Sequence, residues 1–268
     1  MTLGFSVDGL LPKARGGGQL KMGLVRLNET EWLQPEPDLS AREAGFAAHS
    51  EGIQLSEKGT AAGEELAAML GVSGGLPGAA KAHHEDMCLL SRSPAEEIYR
   101  LVGAAVAWPT DWHPKDKMGL PLASMHAPIQ GYREQLASGV DHFMAKLKPG
   151  KIFGRCNWFV APTHEMRWIA GDPAVEFADV NADNAGEKLF IRSERQTLCR
   201  LPDTGAILFT IGVYVSPLKG LLRKNVARLA ASFSTLLDGE GDRRSARYFA
   251  DALTGYNDRL ERASPCST

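Results

Sequence analysis

The stretch Leu189–Leu218, LFIRSERQTLCRLPDTGAILFTIGVYVSPL, decides the fold class because it reads as two strands joined by a tight turn. Side chains alternate across a strand, so Arg192, Glu194 and Gln196 share one face. Ser193, Arg195, Thr197 and Cys199 take the other. Pro202-Asp203-Thr204-Gly205 supplies turn chemistry between the strands. The second strand divides into Ile207, Phe209, Ile211, Val213 and Val215 on one side and Ala206, Leu208, Thr210, Gly212 and Tyr214 on the other. The first set predicts a packing face. The second is small and polar at its centre, and Gly212 removes a side chain where a flat ligand could approach the sheet. A hairpin that carries Arg and Glu beside so shallow a face is a candidate ligand wall.

Working outward, Tyr99–Trp108 (YRLVGAAVAW) and Gly154–Ala161 (GRCNWFVA) read as further strands, so at least four are expected. Helical spacing predicts helices over Ser56–Leu70 and Tyr132–Leu147, the first with Leu66, Met69 and Leu70 on its apolar side. Two more are expected in the C-terminal third, over Leu218–Leu237 and Arg243–Arg262. Residues 1–40 are rich in Gly, Pro and polar side chains and read as an arm laid across the domain. The Gly-rich run Gly71–Gly78 follows a helix and lacks both G-x-G-x-x-G and the P-loop lysine, so it reads as a linker. Strands gathered in the middle with helices at the ends predict an α+β fold with an antiparallel sheet.

The 268 residues suffice for a sizeable core, and 44% hydrophobic with 23% charged residues is ordinary for a globular protein. A net charge of -2 gives no reason to expect nucleic acid or an anionic membrane as a partner. No apolar run approaches the roughly 20 residues of a membrane helix, and the first residues do not read as a secretory signal. The 4 cysteines, Cys88, Cys156, Cys199 and Cys266, form no C-x-x-C, which argues against a zinc ribbon or a cysteine-held iron–sulfur cluster. Reduced thiols and a cytoplasmic location are the expectation. Neither a flavin or nicotinamide fingerprint nor a G-x-S-x-G elbow is present.

Imidazole is a common neutral ligand for iron, so the 7 histidines carry weight. His83-His84-Glu85-Asp86 has metal-ligand residue types, but consecutive helical positions point apart, and a solvated helix start is the expected role. His113 reads as structural, and His49, His142 and His164 as surface residues. His126 differs. It ends a short helix bearing Leu122 and Met125, and Pro128 then turns the chain away. Such a rigid corner suits an apolar cavity, although on the residues alone a satisfied core or corner histidine is the better account than a ligand.

Taken together, KMGLPLASMHAPIQGY, the NWFV strand and RSERQTLCRLPDTGAILFTIGVYVSPL resemble the haem-dependent oxidative N-demethylase family, which includes the haem-bearing subunit of bacterial dimethylamine monooxygenase. Weaker likenesses are Met22-Gly23-Leu24 with Trp32-Leu33, and Glu85-Asp86-x-Cys88-Leu89-Leu90. The likeness spans roughly residues 20–220, and the R-x-E-R-Q-T-L-x-R-L-P block is its specific part. The segment 161–188 matches weakly and leaves the substrate open.

The resemblance implies a PAS-like antiparallel sheet flanked by helices, binding haem b against the sheet. It implies one such domain over 1–268, with the arm at 1–40 and C-terminal helices at 218–262. It further implies oxidation of a secondary amine, dimethylamine to methylamine and formaldehyde, with O2 and electrons from NADPH. FMN and [2Fe-2S] centres are then expected on reductase or ferredoxin-type partner subunits. Matching the family's histidine segment to H-A-P-I-Q makes His126 the iron ligand. Glu194 becomes the amine partner or proton relay, with Arg195 beside it in the catalytic set. Arg192, Lys117 and Tyr132 become propionate partners, and Gly212 lines the cofactor face. The alternatives are a PAS-like haem sensor of gases without turnover, and a structural ion-pair network for the strand charges.

Overall fold

The hairpin forms as read, at the centre of one antiparallel sheet. The computed structural model describes residues 3–11, 20–93, 96, 98–236 and 238–263. Cys266, Leu237 at the end of an expected helix, and residues 12–19 of the expected arm lie outside the described residues. The strands are β1 (Val25–Leu27), β2 (Ile53–Leu55), β3 (Asp86–Ser91), β4 (Arg100–Ala105), β5 (Ile152–Ala161), β6 (Phe190–Arg200) and β7 (Ile207–Pro217). Their order across the sheet is β1-β5-β6-β7-β3-β4-β2, and every neighbouring pair is antiparallel. Part of the expected arm is therefore an edge strand, β1, paired to β5. Among the described residues no helix is long and apolar enough to cross a membrane.

Register fixes which side chains meet. Arg200 lies opposite Ile207, so Glu194 opposes Val213, Gln196 opposes Ile211 and Arg195 opposes Gly212. Opposed residues of an antiparallel pair point to the same side. The front face thus carries Arg192, Glu194, Gln196 and Leu198 beside Ile207, Phe209, Ile211 and Val213. It continues into Arg155 and Asn157 of β5 and Cys88 and Leu90 of β3. The expected roles of the two β7 faces are exchanged: the aliphatic set shares its side with Glu194, while Gly212 lies on the back beside Arg195. Each strand's alternation was legible by itself, but the relation between them is set by the turn, which pairs Leu201 with Ala206. Glu65 fixes that turn by accepting from the backbone N–H of Asp203 (2.7 Å) and Thr204 (2.8 Å).

Helix Glu57–Met69 starts at Ser56, whose hydroxyl accepts from Gly59 N–H at 3.2 Å. It packs on the back through Ala62 and Leu66 with Leu76, Met87, Leu89 and Leu208, while Met69 turns out to solvent, 44% exposed. A Cβ at Gly59 would lie 2.0 Å from the Val102 carbonyl oxygen, so only glycine lets this helix lie so close to β4. The expected linker contains the start of a second helix, Gly75–Lys81, held by burial of Leu76 and Ala79. The front is covered by short helix Leu122–Met125 and by Ser138–Lys146, which continues a π-helical turn at Arg133–Ala137. Helices Arg223–Phe233 and Ala250–Arg262, both shorter than their periodicity suggests, close around Trp158, Val160 and Ile191.

His83–Asp86 is not a solvated helix start; it is a buried turn feeding β3, with Glu85 and Asp86 0% exposed. The cause is Arg42. Its guanidinium donates to the carbonyls of Ala80, His84 and Glu85 and to Asp86 Oδ1 at 3.0 Å. Asp86 in turn accepts from the backbone N–H of Ala107 (2.8 Å) and Trp108 (3.1 Å), which pins the chain leaving β4. Removing one partner of a buried pair strands the other's charge, so Asp86→Ala is expected to lower stability by about 3–5 kcal/mol in chemical denaturation. His84 donates from Nε2 to the Val213 carbonyl at 2.9 Å, and burial, aided by the Arg42 charge, pulls its pKa down to about 4. Stability from such a group is present above its unfolded pKa of about 6.5 and is lost as pH falls towards the folded value. Between pH 7 and about pH 5 the parent should therefore lose about 2 kcal/mol more than His84→Gln in paired denaturation curves.

Candidate functional site

Between the front face and its covering helices lies a cavity of about 1080 Å³. That is just above the range, about 300–1,000 Å³, of ordinary small-molecule pockets, and leaves room for a large cofactor. Leu90, Leu101, Leu198 and Phe209 from the sheet and Val140 and Phe143 from helix Ser138–Lys146 give it apolar walls. These strands build a flat floor because β3, β6 and β7 each turn alternate apolar side chains to this side.

His126 caps helix Leu122–Met125 and lines the cavity. Its Nδ1 lies 2.9 Å from the Leu122 carbonyl oxygen. A carbonyl can only accept, so Nδ1 carries the proton and, in the neutral ring, Nε2 keeps the lone pair. Burial lowers the imidazole's pKa, and the nearby cations Arg155, Lys117 and Arg243 lower it further, against the Leu122 bond. The ring is thus held neutral with its ligating nitrogen defined. Tyr132 stacks on it, with centroids 4.5 Å apart and planes 21° apart. Burial pushes the Tyr132 hydroxyl up to about 12, so it stays a neutral phenol.

Glu194, 7% exposed, also lines the cavity. Its Oε1 accepts from Thr110 Oγ1 at 2.6 Å, and its Oε2 accepts from Gln196 Nε2 at 2.9 Å and Asn157 Nδ2 at 3.4 Å. The β5–β6 register explains the last contact, since Asn157 is directly opposite Glu194. Arg192 Nε donates to Thr110 Oγ1 at 2.6 Å, and its terminal nitrogens donate to the carbonyls of Trp108 (2.7 Å), Pro109 (3.1 Å) and Glu165 (3.3 Å). Burial brings this guanidinium down to about 10, still charged at neutral pH.

The structure brings His126, Tyr132, Lys117 and Glu194 of the sequence-derived set to one cavity. Arg192 shares the front face, but four of its five N–H groups are spent on the chain's own oxygens, which leaves it a structural cation rather than a propionate partner. Arg195 and Gly212 lie on the back. Arg195 donates to the carbonyls of Trp32 (2.7 Å) and Glu31, and a Cβ on Gly212 would meet the Tyr214 ring at 3.2 Å. Sequence reading missed Thr110, Arg155 and Asn157. The latter two were available by carrying the strand alternation through GRCNWFVA; Thr110, 84 positions from Glu194, gave no local signal.

The donor set fits a flat, dianionic, iron-bearing macrocycle. Apolar walls suit its faces, Lys117 and Arg155 suit its carboxylates, and His126 offers one neutral imidazole nitrogen. Among the described residues no group of three or more His, Cys, Asp or Glu side chains gathers to hold a bare ion. Cys88 also lines the cavity, but burial pushes its thiol well up, away from the thiolate a metal needs.

A family model for the haem-dependent oxidative N-demethylase, alpha subunit-like proteins matches residues 48–248. The match takes in β2 to β7, His126, Thr110 and Glu194. No curated protein matches the chain. Since the matched span is well over half of its length and contains the whole cavity floor, the chain belongs to the haem-dependent oxidative N-demethylase, alpha subunit-like family.

Proposed function

We propose that this chain is the haem b-bearing subunit of a secondary-amine N-demethylase, with a PAS-like domain over 1–268 that seats the haem on the front face and His126 as iron ligand. The observation that carries the reading is a single cavity with a neutral, tautomer-fixed imidazole and a hydrogen-bonded carboxylate on its walls. Dimethylamine, O2, two electrons and two protons would give methylamine, formaldehyde and water. The electrons would come from NADPH through FMN and [2Fe-2S] centres on reductase subunits, in the cytoplasm. Haem, when bound, supplies the O2 activation and carbon oxidation for which no side chain here has the chemistry.

The chain's own residues supply position and charge. His126 would present Nε2 to iron, and the Leu122 carbonyl on Nδ1 would raise the ring's electron donation, as outer partners of ligating histidines do. Lys117 and Arg155 would take the propionates. Small alkylamines are cationic near neutrality, so Glu194 would hold the ammonium nitrogen, with aromatic faces of Trp112 and Trp168 along the same cavity. After oxidation of the N-methyl group, release of formaldehyde moves a proton from the carbinolamine hydroxyl to nitrogen, and the Glu194 oxygens are the acceptors available on this wall.

Two substitutions test separate parts of the reading. The ultraviolet–visible spectrum of the purified chain, oxidised and dithionite-reduced, is expected to show a Soret band that His126→Ala removes or shifts. An unshifted band would move the ligand elsewhere, and no band after haem reconstitution would end the oxygenase reading. Glu194→Gln is expected to keep the parent spectrum but lower amine-dependent turnover by at least about tenfold, or about 1.4 kcal/mol. Unchanged turnover would remove Glu194 from the mechanism.

A further inference from the structure

Among the described residues, Thr110 is the one donor to Glu194 from outside the sheet; Gln196 and Asn157 come from β6 and β5. Its hydroxyl sits between Arg192 Nε and Glu194 Oε1, 2.6 Å from each. The direction of these bonds is forced. A guanidinium has no acceptor, so the hydroxyl oxygen must accept from it, and its one proton must go to Oε1. On the other carboxylate oxygen, Gln196 and Asn157 both donate. A carboxylate offers about four lone-pair directions. Three are taken, which leaves about one on a group that lines the cavity.

Thr110 is itself fixed from both sides. Asp111 N–H donates to the Trp168 carbonyl at 2.8 Å and Trp168 N–H donates to the Pro109 carbonyl at 3.1 Å, a short parallel bridge that flanks Thr110. Asp86 holds Trp108 N–H, and Arg192 holds the carbonyls of Trp108 and Pro109. The hydroxyl is therefore set before any ligand arrives.

We propose that Thr110 is a positioning residue for amine recognition: its proton, committed to Oε1 by Arg192, leaves Glu194 one open acceptor direction that takes a single N–H of an alkylammonium ion. The inference rests on Glu194 being the amine's partner. It also names the ligand class, ammonium ions that carry at least one N–H.

The test is calorimetric titration of dimethylammonium chloride into the haem-loaded chain, with each variant's haem spectrum and melting temperature recorded beside it. Thr110→Val keeps the shape and loses the hydroxyl, and is expected to weaken binding about tenfold. Thr110→Ser restores the hydroxyl and is expected to bind within about twofold of the parent. Thr110→Ala serves in place of the valine variant should that one not fold. Parent-like binding by the variant lacking the hydroxyl, or serine binding as weakly as valine, overturns the role of Thr110. Glu194→Gln separates the two levels. If it binds like the parent, or the parent itself gives no binding, the reading of Glu194 fails and the Thr110 inference with it. If it loses binding while Thr110→Val does not, only Thr110 is removed.

Discussion

Arg192 is a permanent charge on β6, an inner strand of the sheet, with no part of it exposed to water. A cation in that position is tolerable only if nearly every N–H finds an oxygen. The neighbourhood is built to that demand. The chain leaving β4 turns its Trp108 and Pro109 carbonyls and the Thr110 hydroxyl towards the guanidinium, and Glu165 adds a third carbonyl. Thr110 then donates its own O–H to Glu194, so the same requirement that satisfies a buried cation also orients the carboxylate. Arg42 and Asp86 repeat this logic one layer away, fixing the backbone N–H groups of Ala107 and Trp108. Two buried arginines, Arg42 bonded to three carbonyls and one carboxylate and Arg192 to three carbonyls and one hydroxyl, thereby hold the chain that leaves β4.

His126 depends on a simpler device. His126 stops a one-turn helix, and its Nδ1 falls back on the first carbonyl of that helix. One bond sets the tautomer, stacking on Tyr132 sets the plane, and burial among cations keeps the ring neutral. A histidine on a longer or looser segment would have none of these constraints. Both His126 and Glu194 line a cavity whose floor is made of apolar side chains from β3, β6 and β7.

Much of this was legible before any coordinates. Alternation in Phe190–Arg200 and Ile207–Pro217 gave both long strands, and the corner at His126 followed from Leu122, Met125 and Pro128. What the residues could not give by themselves was relation across distance. Gly212 was assigned to the ligand side because each strand was read separately, whereas the Leu201–Ala206 turn puts it with Arg195 on the back. The strand β3 hid behind His83–Asp86, whose polar composition suits a solvated start; Arg42, far away in sequence, is what makes that turn burial-compatible. Thr110 carried no pattern at all, since its role exists only where the loop after β4 meets β6.

We propose that His126, held by its own helix's carbonyl, carries the haem iron. Resonance Raman spectroscopy of the haem-loaded chain in its dithionite-reduced form tests it most directly, using iron isotopes of different mass. The account predicts an iron–imidazole stretching band that moves with the mass of the iron and has the raised frequency of a ring hydrogen-bonded through Nδ1. A reduced haem with no such band, or with a mass-sensitive band from an iron–sulfur bond, would contradict it.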